Sequence, residues 1–247
     1  MRNFSNKKLF LLAALVAGGM YFANATAQDA LDEVSQKASK LEAELGKVRD
    51  SSPEAAPTML ELVDLYHANG RALGLVRIGQ KFVTSQASNP KHKDVMLKLI
   101  DGLAATSRNK ETIATCRQFL SRYPQDGQCP AIEITLARTL DSEPDRKANA
   151  DAHAAVYRRQ PNTLPGKESG ARAVSIYSQL NTKEGFVAAG ELGEKMLDQS
   201  QGEFATHSGW QGMYWWHRAG EWAKSNLAGN KLLKKAPPTD KGWLSQI

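Results

Sequence analysis

Residues 111–124 read ETIATCRQFLSRYP, and residues 149–161 read NADAHAAVYRRQP. Aligned on their closing prolines, the two stretches place Phe119 opposite Val156 and Leu120 opposite Tyr157. Each stretch predicts an amphipathic helix that ends at its proline, because proline lacks the N–H group that would continue the helix. Pro90, Pro124 and Pro161 are 34 and 37 residues apart, and a similar stop falls near Ser200. Two short helices fit between successive stops, so the sequence predicts stacked helical pairs.

Apolar residues recur at helical spacing through most of the chain. The predicted helices include residues 59–66, 73–83, 95–103, 113–120, 132–140, 148–156, 171–180 and 186–197, and a last long helix from about 207 to 225. No alternating run of β-branched residues lies between turn signals, so we expect few or no strands.

The helical pairs resemble the tetratricopeptide repeat (TPR) family, whose units are two antiparallel helices of about 34 residues. The resemblance covers roughly residues 57–233. It departs from the family pattern at Ile100 and Thr112, where small residues would be usual. It implies an all-α, right-handed superhelical array of four or five helix pairs, because each pair buries its apolar stripe only against its neighbours. An irregular bundle of proline-terminated helices is the alternative.

The first 27 residues have the layout of a cleaved bacterial-type signal peptide. Arg2, Lys7 and Lys8 precede an apolar run, and small residues ending at Ala25 and Ala27 follow it. The run of 14 residues from 9 to 22 is shorter than the roughly 20 that span a bilayer. We therefore expect cleavage near Ala27 or Ala25, a periplasmic or secreted protein and no stable membrane insertion afterwards; an uncleaved anchor is the alternative.

The net charge supports no nucleic-acid partner. It is +6 for the whole chain. Removal of residues 1–27 takes away three basic and no acidic residues, which leaves +3. The remaining basic residues are mixed with acids rather than clustered.

The mature chain begins with a predicted lead helix, residues 28–50, whose apolar residues are spaced three and four apart. This stripe can pack on the rest of the chain or on a second copy. A linker (51–57), the repeat domain (58–236) and a tail (237–247) follow.

The two cysteines, Cys116 and Cys129, are compatible with a disulfide in an exported protein. However, Cys116 lies about two turns before its helix ends, within the apolar stripe, where a buried thiol also packs well. The sequence leaves both alternatives open.

No motif for catalysis or for a cofactor is present. The five histidines lack metal-ligand spacing, and phosphate-binding and nucleophile-elbow motifs are missing. We expect no metal and no cofactor. Glu168-Ser169 is similar to the dipeptide that carries the catalytic acid of lytic transglycosylases, but the downstream glycine-rich stretch of that family is absent.

All five tryptophans lie at or after residue 210. On one continuous helix, Trp210, Tyr214 and His217 would share one face, and Trp215 and Trp222 another. One neighbouring helix cannot bury both faces, so we expect at least one tryptophan to be partly exposed. The cluster is interpreted either as the core of the last repeat or as a binding surface.

The sequence thus predicts an exported, non-catalytic scaffold that binds a protein or peptide of the cell envelope. The candidate binding residues, chosen by helix order, are Tyr66, His67, Asn69, Arg108, Trp210, Tyr214, Trp215, Trp216 and Trp222. A binder of cell-wall glycan that uses the tryptophans is the first alternative. An envelope hydrolase of the transglycosylase type that uses Glu168 is the second.

Overall fold

The structure, a computed structural model, describes residues 32–235, and this part of the chain is all-α. The first helix, α1, covers residues 32–45. The others are α2 (Ala55–Ala68), α3 (Ala72–Ser85), α4 (His92–Ala105), α5 (Asn109–Arg122), α6 (Cys129–Leu140), α7 (Arg146–Arg159), α8 (Leu164–Gln179), α9 (Lys183–Gln199), α10 (Gly202–Arg218) and α11 (Trp222–Lys235). The predicted signal peptide (1–27) and tail (237–247), which includes Trp243, lie outside the described residues.

Within unit 2, helices α9 and α10 pack antiparallel, as the contacts between them show. Going along α9, Gly190 lies against Trp216, Gly193 against Gly212 and Leu197 against Gly209. The residue numbers rise on α9 while they fall on α10. The predicted all-α chain of antiparallel helix pairs is therefore confirmed. The prolines that were expected to end the second helices do follow α3, α5 and α7.

A left-handed residue closes the first helix of most pairs. Gly70, Ser107, Asn181 and Gly220 have φ values of 62°, 54°, 53° and 78° and follow α2, α4, α8 and α10. After Gly70 and Gly220, the next amide reaches back five residues, from Arg71 to Tyr66 and from Glu221 to Trp216. This hydrogen bond reverses the chain within three residues and so sets up the antiparallel second helix.

The turn between α6 and α7 uses a polar cluster instead. Asp141 accepts hydrogen bonds from Asn149 (3.1 Å) and from Arg172 of α8 (3.1 and 3.3 Å). His153, only 5% exposed, places Nε2 3.4 Å from Asp141 Oδ1. Burial lowers the pKa of His153 below its ordinary 6.5, although Asp141 opposes this effect. For Asp141, burial is outweighed by the hydrogen bonds, and its pKa is lowered.

The described helices fall into two compact units. Unit 1 contains α1 to α4 and ends at Thr106, and unit 2 begins at Ser107 and contains α5 to α11. The buried core of unit 1 includes Met59, Leu62, Phe82 and Met96. That of unit 2 is centred on Tyr157, Ala173, Ile176, Ala189 and Met196.

The prediction of one long helix from about 207 to 225 is wrong. The chain ends α10 at Arg218, turns at Gly220 and begins α11 at Trp222. Glycine permits the positive φ that this turn needs, and the pattern of apolar residues alone did not reveal it. Trp222 therefore belongs to another helix than Trp210, Tyr214, Trp215 and Trp216.

Two further differences concern the linker and the cysteines. Helix α2 begins at Ala55, inside the predicted linker, because Pro57 lies in its first turn, where no backbone donor is needed. Cys116 and Cys129 are buried thiols that are not joined in a disulfide. Cys129 Sγ instead donates a hydrogen bond to the Tyr123 carbonyl at 3.1 Å.

Candidate functional site

Helix α10 packs against α9 through its smallest residues. Ala205, Ser208, Gly209 and Gly212 are all buried on this side. A Cβ atom on Gly193 of α9 would lie 2.7 Å from the Gly212 nitrogen, which shows how closely the two backbones approach. Because the small residues face the neighbouring helix, most of the large aromatic residues of α10 are left on its other sides.

These aromatic side chains form a continuous row, which we call the aromatic strip: Phe186 of α9 and His207, Trp210, Tyr214 and Trp215 of α10. Adjacent rings are in contact. The centroid distances are 6.4 Å for His207–Trp210, 5.5 Å for Trp210–Tyr214, 4.8 Å for Tyr214–Trp215 and 5.4 Å for Trp215–Phe186. His207 is exposed and the other four are half-buried. The strip therefore offers a surface of aromatic side chains to solvent.

Arg218 lies at one end of the strip. Its guanidinium carbon is 5.3 Å from the centre of the Phe186 ring, and its Nη1 lies 3.4 Å from the Tyr214 hydroxyl oxygen. A guanidinium over an aromatic face is attracted by the ring electrons. Arg218 thus holds Phe186 and Tyr214 together while its charge remains at the surface.

The strip occupies positions that carry other residues in the remaining repeats. Six residues before the left-handed residue, α10 has Tyr214, whereas α2, α4 and α8 have Asp64, Asp101 and Ser175. Ten residues before it, α10 has Trp210, whereas the other helices have Leu60, Leu97 and Ala171. In unit 1 the two aspartates at the first of these positions contact polar side chains across α2 and α4: Asp64 pairs with Lys98, and Asp101 Oδ2 lies 3.6 Å from His67 Nε2. Among these four helices, α10 alone presents aromatic rings there.

Trp216 is a core residue and does not belong to the strip. It is 2% exposed, and its Nε1 donates to Glu194 of α9 at 3.2 Å. Tyr66 and Tyr177 occupy the same repeat position, four residues before the turn, and their hydroxyls donate to Glu42 and Asp151 of the preceding helices. An aromatic donor that binds a carboxylate of the preceding helix is thus a recurring packing element. The burial raises the pKa of Tyr66 to about 12, together with the nearby Glu42.

Trp222 is the most exposed described tryptophan, at 58%, and its ring meets the edge of His217 at 4.4 Å. The expectation that at least one tryptophan is partly exposed is therefore confirmed. The predicted grouping of Trp210, Tyr214 and His217 holds in part, because His217 turns toward Trp222 and His207 extends the strip instead.

The other candidate binding residues have roles within the fold. In unit 1, Tyr66 is nearly buried and Asn69 Nδ2 donates to the Leu65 carbonyl at 2.7 Å at the end of α2. His67, more exposed, faces Asp101. In unit 2, Arg108 donates to Glu111 one turn further along the chain, at 2.8 and 3.0 Å.

The transglycosylase interpretation gains no support from the surroundings of Glu168. This residue is exposed on α8, one turn beyond the start of the helix, which Thr163 caps. A catalytic acid needs shielding from water to keep its proton near neutral pH. Within residues 32–235, no group of three or more His, Cys, Asp or Glu side chains is arranged to hold a metal ion.

Sequence reasoning missed Phe186, His207 and Arg218 as members or neighbours of the site. Phe186 lies 29 residues before Trp215 and joins it only because α9 and α10 pack antiparallel. The one available signal was the i, i+3, i+7 and i+11 spacing of His207, Trp210, Tyr214 and Arg218.

Comparison with known proteins finds no matching family model and no matching curated protein. Among solved structures, MamA is 14% identical over 79% of this chain and 98% of its own, with a TM-score of 0.43. A kinesin light chain protein of Podosopora anserina with nearly identical TPR-like repeats is 14% identical (77% and 99% covered, TM-score 0.39). BtubC of P. vanneervenii is 11% identical (85% and 88% covered, TM-score 0.38). Because these TM-scores are below 0.5, the likenesses bear on neither the site nor the function.

None of the helices between residues 32 and 235 is both long enough and apolar enough to cross a membrane.

Proposed function

We propose that the protein is an exported, non-catalytic helical-repeat scaffold, and that the aromatic strip binds a protein or peptide partner in the cell envelope. The observation that carries this proposal is the placement of Trp210 and Tyr214. They stand at surface positions where the equivalent helices carry aspartate, serine, leucine or alanine. Trp210 packs partly against the core residues Leu197, Ala205 and Leu232, whereas α2, α4 and α8 form with smaller side chains at these positions.

The composition of the strip matches that of protein interfaces. Tryptophan, tyrosine and arginine carry most of the binding energy at such interfaces, typically from half-buried, rigid positions. Trp210 and Tyr214 stack with an interplanar angle of 10°, which fixes both side chains before a partner arrives. A surface ordered in advance loses little conformational entropy on binding.

The ring geometry favours a protein or peptide over a glycan. A sugar packs onto the open face of an aromatic ring, but Trp215 and Phe186 use faces against each other at an interplanar angle of 12°. Trp210 and Tyr214 do the same, so one face of each of these four rings is covered by its neighbour, and Arg218 adds a positive charge at the surface. Trp222 displays more of its ring than any other described tryptophan and is the residue on which the glycan alternative would depend.

Site-specific photo-crosslinking in living cells tests the proposed surface. A photoreactive phenylalanine replaces His207 in one strain and Lys195, an exposed residue of α9 outside the strip, in a matched control. We expect a discrete crosslinked protein from position 207 and none from position 195. Equal crosslinking at both positions, or none at either, contradicts the proposed surface.

Affinity measurements with the identified partner then assign the contribution of individual rings. Trp210→Ala should weaken binding tenfold or more, as expected for a central aromatic residue of roughly 2 kcal/mol. Trp222→Ala is the matched tryptophan control and should leave this affinity unchanged. Retention on purified peptidoglycan that Trp222→Ala abolishes would instead support the glycan alternative.

Export is tested separately, by the mass of the protein recovered from the periplasm or the medium. The proposal requires a chain that begins at residue 28 or 26, after cleavage at Ala27 or Ala25. A full-length chain confined to the cytoplasm would contradict export and a partner in the envelope. The crosslinking test of the binding surface would not be affected by that result.

A further inference from the structure

Arg218 gives the aromatic strip a positive charge at a position where the equivalent helices are uncharged. Two residues before the left-handed residue, α10 has Arg218, whereas α2, α4 and α8 have Ala68, Ala105 and Gln179. Three of these four helices therefore form with a neutral side chain there. The Arg218 side chain is exposed, so a partner can reach its charge.

Two aromatic side chains hold the guanidinium group in place without neutralising it. Its carbon lies 5.3 Å from the centre of the Phe186 ring, and its Nη1 donates to the Tyr214 hydroxyl oxygen at 3.4 Å. No carboxylate between residues 32 and 235 forms an ion pair with Arg218. Because Nη1 faces Tyr214, Nε and Nη2 remain as two parallel donors, which is an arrangement that a carboxylate accepts.

Acidic side chains on the neighbouring elements are already paired with lysines. Lys183 Nζ lies 3.3 Å from Glu221 in the turn after α10. Lys231 of α11 lies 2.6 Å from Glu194 and 3.1 Å from Asp198, both on α9. These ion pairs occupy carboxylates that could otherwise balance the charge at this end of the strip.

The remaining acidic side chains of α9 and α10 lie elsewhere on the surface. Glu184 and Glu191 are seven residues apart and share a side of α9 that is turned away from Phe186. Helix α10 contains one acid, Glu203, which stands 15 residues before Arg218, or about 22 Å along a helix. The charge of Arg218 is therefore unbalanced locally and lies beside aromatic rings.

We propose that the partner segment bound by the aromatic strip carries an aspartate or glutamate that pairs with Arg218, next to an apolar side chain that packs on Tyr214 and Trp210. A planar guanidinium group can form two parallel N–H···O bonds with such a carboxylate. The rings beside Arg218 keep water from one side of the ion pair, which makes it stronger than a fully exposed pair. This assignment rests on the proposed function, because it names the chemistry of the partner at the same site.

Selection from a phage-displayed library of random peptides tests this chemistry directly. The targets are the purified unchanged protein, Arg218→Gln and Lys195→Gln. Lys195→Gln removes the same charge from an exposed residue of α9 outside the strip and is the matched control. We expect the unchanged protein and Lys195→Gln to select peptides in which an acidic residue adjoins an apolar one. Arg218→Gln should lose this enrichment of acidic residues.

A double-mutant cycle with one selected peptide then measures the ion pair. Arg218→Gln, or the amide in place of the peptide's carboxylate, should each weaken binding about tenfold, and both changes together should weaken it no further. Arg218→Lys should retain part of the affinity, because it keeps the charge but loses the two parallel donors. If Arg218→Gln acted only by disturbing the strip, the two losses would be additive, and that result would overturn the pairing.

Binding of the selected peptides to Trp210→Ala separates the two proposals. Peptides that require Trp210 but show no enrichment of acidic residues would overturn the acidic partner and leave the strip as a binding surface. If no selected peptide loses affinity in Trp210→Ala, the proposed function is contradicted, and the acidic partner with it.

Discussion

The crossing of α9 and α10 at Gly193 and Gly212 makes a quantitative prediction about stability. In a helix interior, Gly→Ala normally stabilises by up to about 1 kcal/mol, because alanine has less backbone freedom to lose on folding. At Gly193 the added methyl group would lie 2.7, 2.8 and 2.9 Å from Gly212 N, Gly212 Cα and Ser208 O. All three are backbone atoms of α10, so none can rotate away, and the helices must separate.

We estimate the magnitude from these distances. Overpacking a tight interior costs about 1–3 kcal/mol, and contacts with fixed backbone belong at the upper end. After subtraction of the propensity gain, Gly193→Ala should destabilise unit 2 by about 1–2 kcal/mol. For a unit of this size, that lowers Tm by roughly 4–8 °C. The strip moves with α10, so Trp210 and Tyr214 should also change their near-ultraviolet circular dichroism.

Thermal unfolding followed by tryptophan fluorescence is the assay. All five tryptophans lie at or after residue 210, so the signal reports unit 2. Gly229→Ala in α11 is the matched control, because its nearest neighbour is Met213 Sδ at 3.1 Å, the mobile part of a flexible side chain. Its Tm should be equal or slightly higher. A Gly193→Ala protein at least as stable as Gly229→Ala would refute the close approach of α9 and α10.

Three other predictions concern the core, the turns and pH. Trp216→Ala should lower the free energy of unfolding in urea by about 3–5 kcal/mol, because the ring is buried. Trp222→Ala, which removes an exposed ring, should change it by less than about 0.5 kcal/mol. Similar losses for both variants would contradict the assignment of Trp216 alone to the core. Replacing Asn181 (φ 53°) by valine should lower Tm because a β-branched residue is strained there, whereas glycine should not. Because the pKa of His153 is lowered in the folded state, the unfolded chain binds a proton more readily, and unit 2 should lose stability as pH falls below 6.5. His153→Gln should reduce this loss. If the unchanged chain and His153→Gln have identical Tm–pH curves between pH 8 and 5, the effect of His153 is excluded. The lowered pKa of Asp141 adds a separate loss only near and below pH 4.

The distinction between Trp216 and the strip also limits which substitutions can test binding. Loss of binding in Trp216→Ala would report unfolding of the α9–α10 packing, since its ring contacts Gly190 and its Nε1 binds Glu194. Trp210 and Tyr214 are half-buried at the surface and can be removed with less damage to the fold. Binding experiments should therefore use these two residues.

Much of the fold could be predicted because its determinants are local. The spacing of apolar residues and the prolines at 90, 124 and 161 are properties of short segments, and they correctly indicated the first eight helices after α1. The break at Gly220 was missed because glycine tolerates both a helix interior and a left-handed turn, and the surrounding sequence does not decide between them.

The aromatic site could be predicted only in part. The sequence located the tryptophans and required at least one to be partly exposed, but it could not tell which. Burial of Trp216 depends on the space above Gly190, a residue 26 positions earlier, and Phe186 joins Trp215 across the same pair of helices. Such contacts depend on where two helices cross, and no local pattern encodes the crossing point.

The sequence by itself determined the helical class, the repeat and the concentration of aromatic residues near the end of the chain, because periodicity and turn chemistry act over a few residues. The tertiary structure decided which side of α10 became core and which became surface. The close approach of Gly193 and Gly212 places the small residues between the two helices, whereas Trp210 and Tyr214 stay half-buried at the surface, Trp210 partly against the core residue Leu197.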